Sequence, residues 1–164
     1  MKQKGLFFCL IGSLLGALSC TAKKMPEGDL LYIEYSRHGT MAQPEYEGRV
    51  EQDSTGAFVL TAMKETYGPL FEKKVDTEVM KHFRQIIEEE KMYKYKEQYR
   101  PMFQVYDGYT WSFYAKFSDG SSISSGGSNA RPSGNGLSRI RGLMTDLVQS
   151  GDQIEFREGD EEEE

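Results

Sequence analysis

The fold of this chain is decided by residues 111–123, which read WSFYAKFSDGSSI. Apolar side chains occupy every second position at the start of this stretch: Trp111, Phe113, Ala115 and Phe117. A period of two is typical of a β-strand with one buried face, so we predict a strand here. Asp119 and Gly120 then predict a turn into a second strand. The stretch is therefore a β-hairpin.

The length of this turn decides which face of the hairpin Ile123 occupies. A two-residue turn would pair Lys116 with Ile123 and place the isoleucine on the polar face. A three-residue turn that starts at Ser118, with Gly120 in the left-handed conformation, pairs Ala115 with Ile123 and places it on the apolar face. Burying such a side chain contributes about 1.5–3 kcal/mol. We therefore predict the three-residue turn.

An antiparallel meander is predicted before this hairpin. Residues 31–36 alternate between apolar and polar side chains, as a half-buried strand requires. Two further strands, at residues 46–52 and 57–64, flank the turn residues 53–56. Gly68-Pro69 is predicted to end the meander.

Apolar residues at helical spacing predict two amphipathic helices. The first begins at Asp76 or Thr77, and its apolar stripe is formed by Val79, Phe83, Ile86 and Ile87. The second follows a glycine-rich connector, residues 125–136, and ends at Ser150-Gly151; its stripe is formed by Leu137, Ile140, Met144, Leu147 and Val148. Residues 153–157 are predicted to form a last short strand. The predicted fold is one α+β domain, an antiparallel sheet with both helices packed on one face.

The first twenty residues have the order of a secretory signal peptide. Lys2 and Lys4 precede an apolar run, residues 5–18, and the small Ser19 then stands before Cys20. The run of 14 residues is shorter than the roughly 20 that cross a bilayer. We therefore predict a cleaved signal peptide; a retained anchor helix is the alternative.

Residues 17–20, Ala-Leu-Ser-Cys, are similar to the lipobox of bacterial lipoprotein signal peptides. The usual lipobox has leucine at the position held here by Ala17. The resemblance implies that Cys20 is diacylated and becomes the mature N-terminus, and an unlipidated secreted protein is the alternative. Anchoring by two or more acyl chains is effectively permanent.

These signals divide the chain into four parts. Residues 1–19 are predicted to be a lipoprotein signal peptide, residues 20–28 a tether, residues 29–157 the single domain and residues 158–164 a disordered acidic tail. The expected location is the bacterial cell envelope, on the periplasmic side of the outer membrane. The chain carries a formal net charge of -6, and no basic footprint for phosphate contacts accompanies it. We therefore exclude nucleic acid as a partner.

Residues 107–132 resemble a module of uncharacterised bacterial lipoproteins and related exported domains. The module has a DG turn, a tryptophan, a second DG and a GSNA-x-P stretch before a helix. In this chain they are Asp107-Gly108, Trp111, Asp119-Gly120 and residues 127–132. The resemblance implies a fold and a location, and it transfers no catalytic residue.

The sequence offers few residues for catalysis or metal binding. Its only histidines are His38 and His82, and the cysteine of the mature chain would be acylated, so we expect no zinc site, no metal and no cofactor. No serine stands in a Gly-x-Ser-x-Gly elbow. The glycine-rich loop, residues 126–136, is either a phosphate cradle with Arg131 as its nearby cation or a crossover in which the glycines serve unusual backbone angles.

Three residues are candidates for ligand binding: Tyr114, Asn129 and Arg131. Tyr114 lies on the polar side of its strand, and the other two lie in the connector. Trp111 is predicted to be a core anchor, with carbohydrate stacking as the alternative. We expect a non-catalytic binding or structural module of the envelope, with a protein or glycan partner. The alternative is a hydrolase of an envelope polymer that works through carboxylates and the glycine-rich loop.

Overall fold

The computed structural model describes residues 23–39, 44–103 and 108–154. They form two α-helices, α1 (Thr77–Glu89) and α2 (Gly136–Val148), and a short 3₁₀ helix, Met92–Lys94. They also form eight strands: β1 (Leu30–His38), β2 (Pro44–Gln52), β3 (Phe58–Met63), β4 (Leu70–Val75), β5 (Gln98–Tyr99), β6 (Thr110–Phe117), β7 (Ser122–Ser128) and β8 (Asp152–Gln153).

The strands form one mixed sheet in the order β5-β7-β6-β1-β2-β3-β4-β8. Neighbouring strands are antiparallel except β5, which lies parallel to β7. The two edge strands are only two residues long. The α+β class and the mostly antiparallel sheet are confirmed.

The register predicted for the β6–β7 hairpin is confirmed. Ala115 pairs with Ile123, and the side chain of Ile123 is buried. Gly120 has a φ of 82°, in the left-handed region that the three-residue turn requires. The Phe117 amide donates to the Ser121 carbonyl at 3.0 Å.

A bulge shifts the start of β1 relative to the prediction. The pairing of β1 with β6 slips between Leu30 and Tyr32. Leu30 is therefore buried, while Leu31, predicted to share the core face with Ile33 and Tyr35, is only half-buried. A bulge adds one residue to a strand, so residues before the bulge point to the opposite face from the one that simple alternation predicts.

The prediction that Gly68-Pro69 ends the meander was wrong. These residues form only a turn, and β4 then returns antiparallel to β3. Two adjacent lysines interrupt the alternation of β4 and hid it in the sequence. Lys73 is tolerated near the edge of the sheet because its ammonium group reaches Ser150 Oγ at 2.8 Å.

The connector predicted for residues 125–136 was also wrong over its first part. Gly126 and Gly127 belong to β7, with β6 on one side and β5 on the other. A Cβ on Gly127 would lie 2.7 Å from Trp111 Nε1 and 2.6 Å from the Ala130 carbonyl oxygen. Gly126 and Gly127 are therefore there for close packing, whereas Asn129 and Gly134, with φ of 52° and 98°, have the unusual backbone angles predicted for the crossover.

Both predicted helices are present. Asp76 caps α1, and its carboxylate accepts from the Val79 amide at 3.1 Å. The buried residues of the helices are Met80, Phe83, Ile86 and Ile87 in α1 and Gly136, Ile140, Met144 and Val148 in α2. They join the buried side chains of the sheet in one hydrophobic core. Gly48 of β2 makes room for α2, because a Cβ there would lie 2.7 Å from Met144 Sδ.

Residues 23–28, part of the predicted tether, lie against the domain. Arg84 of α1 donates to the carbonyl oxygens of Pro26 and Gly28, at 3.0 and 3.2 Å. Asp119 Oδ2 accepts from the amides of Glu27 and Gly28, both at 3.0 Å.

Several predicted features lie outside the described residues. They are the signal peptide at residues 1–19, Cys20, Asp107 and the acidic tail at residues 158–164. Within the described ranges, no helix is both long enough and apolar enough to cross a membrane.

Candidate functional site

A small cavity of about 70 Å³, which we call the arginine pocket, lies where β1 and β6 meet the first turns of α2. Its lining residues are Tyr35, Arg37, Tyr109, Trp111, Arg131, Leu137, Ser138 and Arg141. Three of these eight side chains are arginines, and they come from a strand, a loop and a helix. Such a concentration of guanidinium groups around one small cavity is typical of an anion site.

Two of the guanidinium groups are stacked on tyrosine rings. The Arg37 guanidinium carbon lies 4.3 Å from the centroid of the Tyr109 ring. The Arg141 guanidinium carbon lies 4.8 Å from the centroid of the Tyr46 ring. A cation over an aromatic face is attracted by the ring and loses rotamer freedom. The pocket is therefore organised before any ligand arrives.

The arginines have few anionic partners. Arg37 Nε lies 2.9 Å from Glu45 Oε2, yet the geometry leaves that buried Nε without a hydrogen bond. Arg141 Nη2 donates to the Thr66 hydroxyl at 2.9 Å. Among the described residues, Glu45 is the only carboxylate paired with any of the three arginines. The pocket therefore keeps an excess of positive charge.

Tyr35 adds a neutral hydrogen-bonding group to the pocket. Burial raises the pKa of its phenol, and the guanidinium groups of Arg37 and Arg141 oppose that rise. The phenol stays protonated at neutral pH, so it offers one donor and acceptor lone pairs.

The first turn of α2 also borders the pocket. Leu137 and Ser138 line it, and the helix starts at Gly136. The first amides of a helix have no partner within the helix, and they carry the positive end of the helix dipole. The Glu90 carboxylate accepts from the Asn135 amide at 3.2 Å, so it offsets part of the positive potential at this end of α2.

Arg37 was not predicted as a site residue, although its position in the alternation of β1 is unusual for an arginine. Ile33, Tyr35 and Arg37 share the core face of β1, because the register pairs them with Ala115, Phe113 and Trp111. An arginine at a position where the alternation calls for an apolar residue indicates a polar cavity. Arg141 gives no such signal, because it lies in α2 among mixed neighbours.

The structure places only one of the three candidate binding residues in the pocket. Arg131 lines it and is exposed. Asn129 stabilises the fold. Its side-chain Oδ1 accepts from the backbone amide of Tyr109 at 2.8 Å, and its backbone amide donates to the Tyr109 carbonyl at 2.9 Å. Its φ is 52°. A Cβ on Gly108 would collide with the Asn129 side chain.

Tyr114 lies on the opposite, uncovered face of the sheet, so it is not part of the pocket. Its side chain is 37% exposed. Its ring meets the Tyr32 ring edge to face, with centroids 5.9 Å apart. Ser36 and Ser112 share a hydrogen bond of 2.8 Å on the same face. This face is polar around Tyr114, and the structure separates it from Arg131.

Trp111 is a core anchor that also positions the pocket. Its side chain is only 4% exposed, and its Nε1 donates to the Ala130 carbonyl at 2.7 Å. Ala130 is bonded to Arg131. The indole therefore fixes the backbone from which Arg131 reaches the cavity. Because the Trp111 side chain is buried, stacking of a carbohydrate on it is excluded.

The phosphate cradle, one of the two interpretations of the glycine-rich loop, is not formed by Gly126, Gly127 and Ser128. Gly126, Gly127 and Ser128 belong to β7, with Gly126 and Gly127 set between β5 and β6, so their backbone groups are used in the sheet. Among the described residues, no three His, Cys, Asp or Glu side chains gather where they could hold a metal ion.

A larger groove of about 470 Å³ lies at the other end of the sheet, between α1 and the β2–β3 turn. Three of its four charged lining residues, all except Asp29, have partners within the protein. Arg84 binds backbone carbonyls, Lys81 pairs with Glu78 at 2.6 Å and Asp76 caps α1. The arginine pocket is therefore the better candidate for a charged ligand.

Comparison of the chain with known protein families, with curated proteins and with solved structures finds no match. The resemblance of residues 107–132 to a lipoprotein module therefore stays a prediction. The structure gives part of that stretch a physical meaning, because Trp111 packs on Gly127 and Asn129 packs on Gly108.

Proposed function

We propose that this chain is a membrane-anchored lipoprotein of the bacterial envelope, and that its domain is a binding module that takes an anionic group in the arginine pocket. The observation that carries the binding role is the gathering of Arg37, Arg131 and Arg141 around one cavity with a single paired carboxylate. The anchor is proposed from the sequence around Cys20.

The size of the pocket limits the ligand. A water molecule takes about 30 Å³ of liquid volume, so a cavity of about 70 Å³ admits a group of a few heavy atoms. A carboxylate, phosphate or sulfate group has this size and suits the planar fork of a guanidinium. We expect the group to belong to a larger protein or glycan partner whose remainder lies outside the cavity.

The same geometry supports binding over hydrolysis of an envelope polymer. A carboxylate-based hydrolase needs two acidic groups flanking the bond that breaks. The described lining of the pocket contains no acid, and the nearby Glu45 is paired with Arg37. The glycine-rich loop that the hydrolase reading relied on starts as a strand.

The anchor is tested by exchanging each cysteine in turn. Cys20→Ser should abolish acylation of the full-length protein and release it from the membrane fraction. Cys9→Ser, a change of the same kind inside the apolar run, should leave acylation intact. Mass spectrometry of the N-terminal peptide reads both variants. Unprocessed wild-type protein that retains residues 1–19 would overturn the lipoprotein assignment in favour of a retained helix.

Anion binding is tested by thermal unfolding in phosphate and in chloride at equal ionic strength. A ligand at ten times its Kd stabilises the folded state by about 1.4 kcal/mol, which raises the Tm by about 3–6 °C for a chain of this size. Arg131→Gln should reduce this shift and change the Tm in chloride little, because Arg131 is exposed.

The matched control is Arg49→Gln. Arg49 lies on the uncovered face of the sheet, where its Nε is 3.0 Å from Glu51 Oε1. This variant should keep the full phosphate shift. Equal loss in both variants would show that phosphate responds only to overall charge, and that outcome would refute the pocket as a binding site.

A further inference from the structure

The start of the described chain is fixed to the domain beside the 3₁₀ helix. Lys23 Nζ donates to the Tyr95 carbonyl at 2.8 Å. Met25 packs against the core, and Arg84 holds the carbonyls of Pro26 and Gly28. The described part of this segment is therefore docked along the domain from Lys23 onwards.

Very little chain separates this point from Cys20. Three residue steps lead from Cys20 to Lys23, and a fully extended chain covers at most about 3.6 Å per residue. The acyl anchor of the proposed function would therefore hold the surface around Lys23 within about 11 Å of the lipid headgroups. That distance is close to the Debye length of about 8–10 Å at physiological salt.

The surface around this point is basic. We call it the lysine surface, and it consists of five exposed lysines: Lys23, Lys24, Lys91, Lys94 and Lys96. Tyr93 lies among them, with Lys94 Nζ 5.7 Å from the centroid of its ring. Glu27, Glu97 and Asp119 line the same groove as Lys23 and Lys24, and their carboxylates offset part of this charge.

The concentration of lysines runs against the charge of the rest of the molecule, because the chain as a whole has a formal net charge of -6. Among Lys23, Lys91 and Lys94, the structure shows no salt bridge to any described acid. Lysines without an acidic partner, next to a membrane anchor, are attracted to anionic lipids.

We infer that the lysine surface rests on anionic phospholipid headgroups and orients the domain on the membrane. This inference rests on the proposed acylation of Cys20. No residue of the lysine surface lines the arginine pocket, so the pocket stays open to a partner while the domain is held in this orientation. Each lysine at an anionic surface contributes about a fivefold gain in membrane partition.

The test is an amine-labelling footprint of the full-length, acylated protein in two kinds of vesicle. One kind is phosphatidylcholine alone, and the other is equal parts phosphatidylcholine and phosphatidylglycerol. We expect Lys91, Lys94 and Lys96 to label about fivefold more slowly on the anionic vesicles. Lys74 and Lys81, which are 75% and 63% exposed on other parts of the domain, should label equally on both.

A matched pair of variants separates surface docking from a general effect of charge. Lys91→Glu with Lys94→Glu should remove the protection of Lys96 on anionic vesicles. Lys74→Glu with Lys81→Glu, the same change of charge at two exposed sites outside the lysine surface, should leave that protection intact. Equal labelling of wild-type Lys91, Lys94 and Lys96 on both vesicles would overturn the inference and leave these lysines to another partner, such as an acidic protein.

The N-terminal peptide of the same samples keeps the two proposals distinguishable. If this peptide carries acyl chains and the lysines are not protected, only the orientation is refuted. If it carries none, the anchor is refuted and the orientation falls with it.

Discussion

The two ends of the sheet differ in how their charged groups are satisfied. At the end that holds the β2–β3 and β6–β7 turns, the carboxylates of Asp53 and Asp119 are saturated by their own surroundings. Asp53 Oδ1 accepts from the amides of Thr55 and Ala57, at 2.8 and 3.0 Å. Asp119 accepts from the Ser121 hydroxyl and amide and from two amides of residues 23–28.

The other end of the sheet holds the arginine pocket, where most of the described charged groups have no partner of opposite charge. Three guanidinium groups line the cavity, with Glu45 as their one paired carboxylate among the described residues. A charge that the fold satisfies contributes to the native structure, whereas a fixed charge without a counterpart favours a ligand that supplies one. The charges of the turn end therefore stabilise the fold, whereas those of the pocket end are the ones we propose to bind a ligand.

The largest expected effect comes from the residue that joins the core to the pocket. Trp111→Ala should lower the free energy of unfolding by about 3–5 kcal/mol, because it leaves a cavity in the core. Lys116→Ala changes an exposed residue of the same strand and should cost less than about 0.5 kcal/mol. Thermal unfolding measures both. Equal melting of the two variants would show that the indole does not support the pocket end.

The glycines give a second test with a matched control. Gly127→Ala should destabilise the protein by about 1–3 kcal/mol, because the added Cβ would lie within 3 Å of Ala130, Trp111 and Tyr99. Gly142→Ala adds the same methyl group to α2, where nothing lies within 4 Å, and should stabilise by about 0.5–1 kcal/mol. Loss of stability in both variants would contradict the close packing behind Arg131.

Substitution of either turn aspartate, Asp119 or Asp53, should have a smaller and more local effect, which hydrogen exchange can detect. Asp119→Ala should increase hydrogen exchange at the amides of Glu27 and Gly28, because their acceptor is removed. Asp53→Ala should leave both amides protected, since the Asp53 carboxylate accepts from Thr55 and Ala57 and pairs with Lys74, none of which belongs to residues 23–28. NMR hydrogen exchange reads the two amides directly. Equal protection in both variants would contradict the docking of residues 23–28 by Asp119.

The same contacts predict a dependence on pH. The hydrogen bonds from Ser121 and from the amides of Gly28 and Glu27 lower the pKa of Asp119 from 3.8 to about 2. A lowered pKa means that the stabilisation is complete above the ordinary value and is lost as the pH falls towards the folded value. Protection of Glu27 and Gly28 should therefore persist down to about pH 4 and be lost between pH 4 and pH 2.

The sequence predicted the parts of the fold that local patterns control. Residues 111–117 alternate cleanly, and the burial of Ile123 selects the turn, so the hairpin could be placed to the residue. The strand β4 was missed because Lys73 interrupts its alternation of apolar and polar residues. The ammonium group of Lys73 donates to Ser150, a residue far along the chain that the local pattern does not show. Gly126 and Gly127 were misread because their reason is the neighbouring Trp111 and β5, which local patterns do not show.

The site was less predictable than the fold. Arg131 was found because it is the one cation in a conspicuous glycine-rich stretch. Arg37 and Arg141 were not found, because they are more than a hundred residues apart in the chain and meet only through the position of α2 beside β1. Tyr114 and Arg131 were grouped in the sequence, yet they lie on opposite faces of the sheet.

Binding of an anion in the arginine pocket is tested most directly by the Nε–Hε NMR signals of the arginines during titration with phosphate. We predict that the signals of Arg37, Arg131 and Arg141 shift together and saturate, while those of Arg49 and Arg139, which do not line the pocket, stay unchanged. A parallel titration with acetate distinguishes a carboxylate ligand from a phosphate. Shifts that are equal for all five arginines and never saturate would contradict the account.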